Sequence, residues 1–202
     1  MKPKQTAPEY IYPVSIVIAV VGVKQITFNK WRTRNGLFPR TQQEKGWSYY
    51  SVADICVASA VKGMTAHGAQ AKFATKAAMA LLPRFEEIDR AAREHGEDQS
   101  RLDAVLVNTV AVIMSEDDAE EHADADVEIE FYSPTVSLQT VLKTADNRNR
   151  MGWNAASFLD LFEIYKSVLF SLQLLDPEAF PSPVERERMT AEALLEALHA
   201  NH

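Results

Sequence analysis

The stretch Gly22-Val23-Lys24-Gln25-Ile26-Thr27-Phe28-Asn29-Lys30-Trp31-Arg32-Thr33-Arg34-Asn35-Gly36 decides how this chain is read. Glycine stands near both ends, and glycine takes the left-handed conformation that closes a helix at little steric cost. Gly22 and Val23 form a short turn, about three helical turns follow, and Gly36 ends them. Phe28 and Trp31 are spaced i, i+3 and share a face. Lys24, Lys30, Arg32 and Arg34 take the remaining arc with no acid among them. A helix that packs an aromatic edge and offers a basic, amide-bearing edge has the form of a major-groove reader. A solvated amphipathic helix is the competing reading, and the flanking sequence must discriminate.

Upstream, Ser15 to Val21 is a helix candidate, though Val14, Ile16, Val17, Ile18 and Val20 are β-branched and suit a strand as well as a helix. Its context favours a helix, because Gly22 stops it and a second helical pattern begins at once. Helix, short turn and helix make a helix-turn-helix. Downstream, Leu37-Phe38-Pro39-Arg40 leaves the second helix, a polar stretch follows to Gly46, and Trp47, Tyr49 and Tyr50 come next. Polar loop and aromatics together predict a β-hairpin wing pinned to the body by its rings. Ser51 is the expected N-cap of the next helix, with Asp54 at its third position. That helix is expected to run to Gly63, with a turn over 64–68. An alanine-rich helix follows from about Ala69 to Leu82, ended or bent by Pro83. Phe28, Trp31, Leu37 and Phe38 are expected in the core, and so is Cys56 within Ile55-Cys56-Val57.

In this order the features resemble the MerR-type winged helix-turn-helix, shared by excisionases and some phage regulators. The residues that carry the resemblance are Gly22-Val23 at the turn, Thr27 and Trp31 in the second helix, and Gly36-Leu37-Phe38-Pro39 leaving it. Gly46 in the wing, Tyr50-Ser51-Val52-Ala53-Asp54 entering the next helix and Lys62-Gly63-Met64-Thr65 at a later joint complete it. The match covers roughly residues 12–80. The chain departs from the family pattern at Ile26, Asn29 and Ser48, where arginines are frequent. The resemblance implies a two-fold dimer that reads DNA half-sites.

Roles follow from residue type. Gln25 and Asn29 can bond a base edge bidentately, and Thr27 can meet a thymine methyl or a phosphate. Lys24, Lys30, Arg32, Arg34, Arg40 and Lys45 are expected at phosphates, which carry most of the affinity and little of the specificity. The expected partner is double-stranded DNA.

The net charge of −7 conceals an asymmetry. Residues 1–84 hold 12 Lys/Arg against 3 Asp/Glu, a balance of +9; residues 85–202 hold 9 against 25, a balance of −16. The first part suits a polyanion and the second is repelled by one. The reading is therefore a flexible arm over 1–11, a winged helix-turn-helix over 12–84, and an acidic α+β part over 85–202 for dimerisation, sensing or partner binding. The fold class is mainly α with a small β component. In the acidic part, Leu102 to Met114 reads as a buried strand and Val127 to Tyr132 as a half-exposed one, joined by an acidic connector. Leu138 to Lys143 suits a short helix or a third strand. Ala155 to Leu175 reads as one long apolar helix that serves the core or a dimer interface, and Val184 to Ala200 as a terminal helix.

Several classes are set aside. His122, Asp124, Asp126 and Glu128 lack the regularity of a calcium loop and read as a solvated acidic turn. No Gly-rich phosphate loop, His-Glu-x-x-His or Gly-x-Ser-x-Gly is present, so no cofactor, metal or catalytic activity is expected. One cysteine makes no internal disulfide and fits a reducing cytoplasm. Val14 to Val23 is too short to span a bilayer. The expected function is sequence-specific transcriptional regulation by a homodimer, with a protein or small-molecule effector at the acidic part. The alternatives are a DNA-handling protein of a mobile element and an interaction module with a degenerate helix-turn-helix.

Overall fold

The computed structural model describes residues 11–43, 48–95, 109–116, 127–132 and 153–175. The chain is mainly helical with a small antiparallel sheet component. It forms two compact units, Met1–Val168 and Leu169–His202.

The first unit opens with β1 (Tyr12–Pro13) and α1 (Val14–Val21). Context outweighs β-propensity here, since Gly22 takes φ 67° and its N–H bonds to the Ile18 carbonyl at 2.9 Å. After Val23 and Lys24, α2 spans Gln25–Asn35 and ends the same way: Gly36 has φ 76°, and Leu37 N–H bonds to the Trp31 carbonyl at 3.0 Å. Phe28, Trp31, Leu37 and Phe38 are buried, as their spacing requires.

Among the described residues, the local hairpin expected after Phe38 is not observed. Arg40–Gln43 makes one helical turn, α3, started by Thr41, whose N–H and hydroxyl both bond to the Phe38 carbonyl. The strand β2 (Tyr49–Tyr50) pairs antiparallel with β1, Tyr12 opposite Tyr50. Long-range pairing wins because it buries Tyr12 and Tyr50 together. Phe28, Phe38 and Tyr50 meet at ring-centroid distances of 6.5, 5.9 and 5.4 Å. Such edge-on and tilted pairs add ~0.5–1.5 kcal/mol each beyond their burial. They hold Phe38 at φ 54°, a conformation that a bulky residue adopts only when its surroundings fix it.

The helix α4 (Val52–Ala66) buries ten of its fifteen residues. Its capping box is complete: Ser51 Oγ accepts from Asp54 N–H at 3.1 Å, and Asp54 Oδ2 accepts from Ser51 N–H at 2.7 Å. The expected stop at Gly63 is not observed. Met64 is buried one residue further on, so the helix tolerates the glycine and closes at His67, before Gly68 at φ 97°. The alanine-rich α5 spans Ala71–Ala80 and packs on both α2 and α4. Its small residues Ala74, Ala77 and Ala78 are fully buried there. The alanine-rich helix ends at Ala80, just before Pro83, with Leu81 as its C-cap. Pro83 sits in the first turn of the next helix, α6 (Leu82–His95), where no intrahelical N–H is needed, and α6 packs against α4.

The sheet has the order β4-β3-β5, all antiparallel. Its centre is β3 (Val110–Glu116), with Ala111, Val112 and Ile113 buried in succession, the sign of a strand covered on both faces. One edge is β4 (Val127–Tyr132), as its alternation predicts. The other edge corrects the sequence reading: Trp153–Asp160 is strand β5, and the helix α7 covers only Leu161–Leu175. Asp160 marks the switch, its Oδ1 accepting from the N–H groups of Phe162 and Glu163 at 3.1 Å each. Residues 117–126, 138–143 and 184–200, with their expected acidic turn, third element and terminal helix, lie outside the described residues. No described helix is long and apolar enough to cross a membrane.

Candidate nucleic-acid interface

The buried side of α2 fixes the orientation of its outer side. Phe28 and Trp31 face inward, so Gln25, Ile26, Asn29, Lys30, Thr33 and Arg34 are exposed on the opposite arc, with Thr27 half-buried between the two. Thr33 Oγ donates to the Asn29 backbone carbonyl at 2.8 Å, which occupies that hydroxyl, and Asn29 itself is exposed. Lys24 holds the N-cap position without a capping bond, and no acid lies in the first turn. The N-terminal end of α2 is therefore electropositive from its dipole and from Lys24 together.

A further cation joins this end from a distant part of the chain. A β-carbon placed on Gly22 would stand 3.1 Å from Lys62 Nζ, so the ammonium of α4 lies over the α1–α2 turn. Sequence reading set Lys62 only at a helix joint. Its position eight residues after Asp54 does not indicate that α4 delivers it to the turn, since that depends on how α1 packs on α4.

The arginines separate into two kinds. Arg34 is exposed. Arg32 is half-buried and turned inward: its Nε donates to Thr41 Oγ at 3.2 Å, and a terminal nitrogen donates to the Thr41 carbonyl at 3.1 Å and to Ser48 Oγ at 3.4 Å. Ser48 Oγ in turn donates to the Thr41 carbonyl at 3.2 Å. Arg40 forms an ion pair with Asp54 Oδ2 and lies over the Phe38 ring at 5.6 Å. Asp54 is 1% exposed and also accepts from the Ser51 hydroxyl at 3.0 Å. Arg32 and Arg40 thus tie α2, α3, β2 and α4 into one piece. Lys45 lies outside the described residues.

Local electrostatics favour an anion. Among the described residues up to 84, Asp54 is the only acid, and Arg40 neutralises it in the interior. Lys24, Lys30, Arg34 and Lys62 are exposed on or beside α2. Burial raises the Tyr50 phenol above its ordinary pKa, with Arg32 acting against the shift, so this ring is a neutral packing element. Burial also pushes the Cys56 thiol well up, with Asp89 and Asp54 adding to it, so it is inert. No group of His, Cys, Asp and Glu suited to a metal ion occurs among the described residues.

The chain matches no protein-family model, and no curated protein matches it.

Proposed function

We propose that residues 12–84 form a MerR-like helix-turn-helix, with the β1–β2 pair in place of the expected hairpin wing, that binds duplex DNA with α2 in the major groove, and that the chain acts as a dimeric transcriptional regulator. The observation that carries this reading is the outer face of α2, which is polar, basic and uncovered on a helix locked by Phe28 and Trp31. A degenerate interaction module would use the same helix as packing surface, and its polar arc would then be covered.

Gln25 and Asn29 are the base readers, and Thr27 stands at the edge of the groove. Lys24, Lys30, Arg34 and Lys62 take phosphates. Arg32 and Arg40 act one step back, holding α2 against α3 and α4. The dimer forms through the C-terminal part, where Phe170, Leu174 and Leu175 of α7 are exposed.

The test is selection of bound fragments from random and genomic duplexes at two salt concentrations. A two-fold symmetric motif near promoters, with affinity falling steeply with salt, is the expected result. Direct repeats or an attachment site would instead point to a mobile-element protein. Absence of retained duplex at low salt would overturn DNA binding altogether.

A further inference from the structure

One residue on the outer face of α2 does not belong with its neighbours. Ile26 is 64% exposed, on the arc opposite Phe28 and Trp31. Asn29 and Lys30 flank it one turn along, at i+3 and i+4, and Thr33 follows at i+7. A solvated helix face gains little from a branched hydrocarbon there, and isoleucine is a poorer helix former than Gln25 and Lys30 on the same face. At that exposure the side chain is not part of the core that buries Phe28 and Trp31, so core stability does not account for it. Its surroundings are cationic, with Lys24, Lys30 and Arg34 on the same helix and Lys62 at the turn. An apolar partner surface would leave those charges without counterparts. A major groove supplies both needs, phosphates along its walls and the thymine C5-methyl as an apolar group on its floor.

We infer that Ile26 is a specificity residue that packs against a thymine methyl, and that the preferred duplex carries A·T pairs under the first turn of α2. The inference rests on the DNA-binding reading above. Asn29, on the next turn, has the amide suited to adenine N6 and N7, so the two side chains would read neighbouring A·T pairs in one step of the groove.

The test uses duplexes with a random core, selected by the full chain, then remade with deoxyuridine in place of thymidine one position at a time. Deoxyuridine keeps every base-pairing and major-groove hydrogen-bonding group and removes only the methyl. Loss of one buried methyl should weaken binding about fourfold at one position per half-site. Ile26→Ala should bind the thymidine and deoxyuridine duplexes equally, with an unchanged melting temperature, because the side chain is exposed. Indifference of the wild-type chain to deoxyuridine at every position would overturn the inference and leave DNA binding standing. Equal sensitivity of Ile26→Ala and wild type would assign the methyl to another reader, also overturning it. Failure of both duplexes to bind the wild-type chain at low salt would remove the DNA-binding reading itself.

Discussion

The helices α2 and α7 are built alike on their inner sides and unlike on their outer ones. Each buries a stripe at helical spacing: Phe28 and Trp31 in α2, and Leu161, Tyr165, Val168 and Leu172 in α7. Outside, α2 carries Gln25, Asn29, Lys30 and Arg34, whereas the last turns of α7 carry Phe170 and Leu174, 62% and 67% exposed. The inner stripe attaches a helix to its own chain, and only the outer arc distinguishes one helix from the other. A basic arc is attracted to a polyanion over a Debye length and pays no desolvation cost until contact. An apolar arc has no reach and gains only by excluding water against another apolar surface.

The largest expected effect breaks the basic arc. Lys30→Glu with Arg34→Glu should weaken duplex binding by roughly 100-fold or more at low salt, since two phosphate contacts become repulsions. Both side chains are exposed, so circular dichroism and melting temperature should not change. Replacing the same pair by alanine should lower the slope of log K against log salt by about 2. Unchanged affinity in the charge-reversed chain would mean that α2 is not the reader and that the contrast with α7 has no bearing on DNA.

Next in size is the support behind that arc. Asp54→Ala removes the capping box of α4 and the partner of Arg40 at once. Arg40 is about one-third exposed and can turn to water, so the loss should be about 2–3 kcal/mol rather than the larger penalty of a stranded buried charge. Denaturant unfolding measures it. A loss under about 0.5 kcal/mol, ordinary for a surface change, would show that α4 does not depend on the box.

The apolar arc gives a smaller effect on a different quantity. Phe170→Glu with Leu174→Glu places two charges where the dimer is proposed to bury hydrocarbon, and should raise the dimer dissociation constant at least about tenfold. Sedimentation over a range of concentrations reads this directly. A wild-type chain that stays monomeric at high concentration would remove the dimer from the proposal and leave those side chains unexplained.

How far each helix was legible follows from where its signals lie. α2 is punctuated locally: Gly22 and Gly36 are chain neighbours of the ends they close, and the i, i+3 aromatics name the buried face. The capping box of α4 is equally local, and it was read correctly from Ser51 and Asp54. The start of α7 was misplaced because Ala155 to Leu159 has enough apolar residues to continue a helical pattern backwards. The corrective signal was also local, Asp160 followed three residues later by Glu163, the signature of a helix N-terminus. Other features were not local at all. The pairing of Tyr12 with Tyr50, the inward turn of Arg32 toward Thr41 and Ser48, and the delivery of Lys62 to Gly22 all depend on tertiary packing. Charge type alone cannot separate Arg32 from Arg34, two residues away, because both read as exposed helix cations until the position of α3 is known.

The smallest effect concerns the inner stripe of α7, and it has a definite sign with pH. Tyr165 is buried, and its hydroxyl donates to Asp89 Oδ1 at 3.1 Å, while Arg93 Nε donates to Asp89 Oδ2, also at 3.1 Å. Burial raises the phenol pKa most; the Asp89 charge and its hydrogen bond to the neutral phenol raise it further, and Arg93 only partly opposes them. The folded chain therefore keeps this proton at a pH where the unfolded chain, titrating near 10.0, has released it. A raised folded-state pKa contributes stability that is fully present below pH 10 and declines above it, by about 1.4 kcal/mol per pH unit for this group. Tyr165→Phe loses the bond to Asp89 and should be about 1–2 kcal/mol less stable than wild type at pH 8. It has no phenol to ionise, so the gap should narrow by about 1.4 kcal/mol at pH 11 and nearly close. Tyr50 and Cys56 are also kept neutral by burial, and their high-pH losses are common to both proteins and cancel from the comparison. Urea unfolding of the two chains at pH 8 and pH 11 decides it. A gap that stays constant between the two would mean that the Tyr165 phenol ionises as readily in the folded chain as in the unfolded one, and that the seat of α7 is open to water.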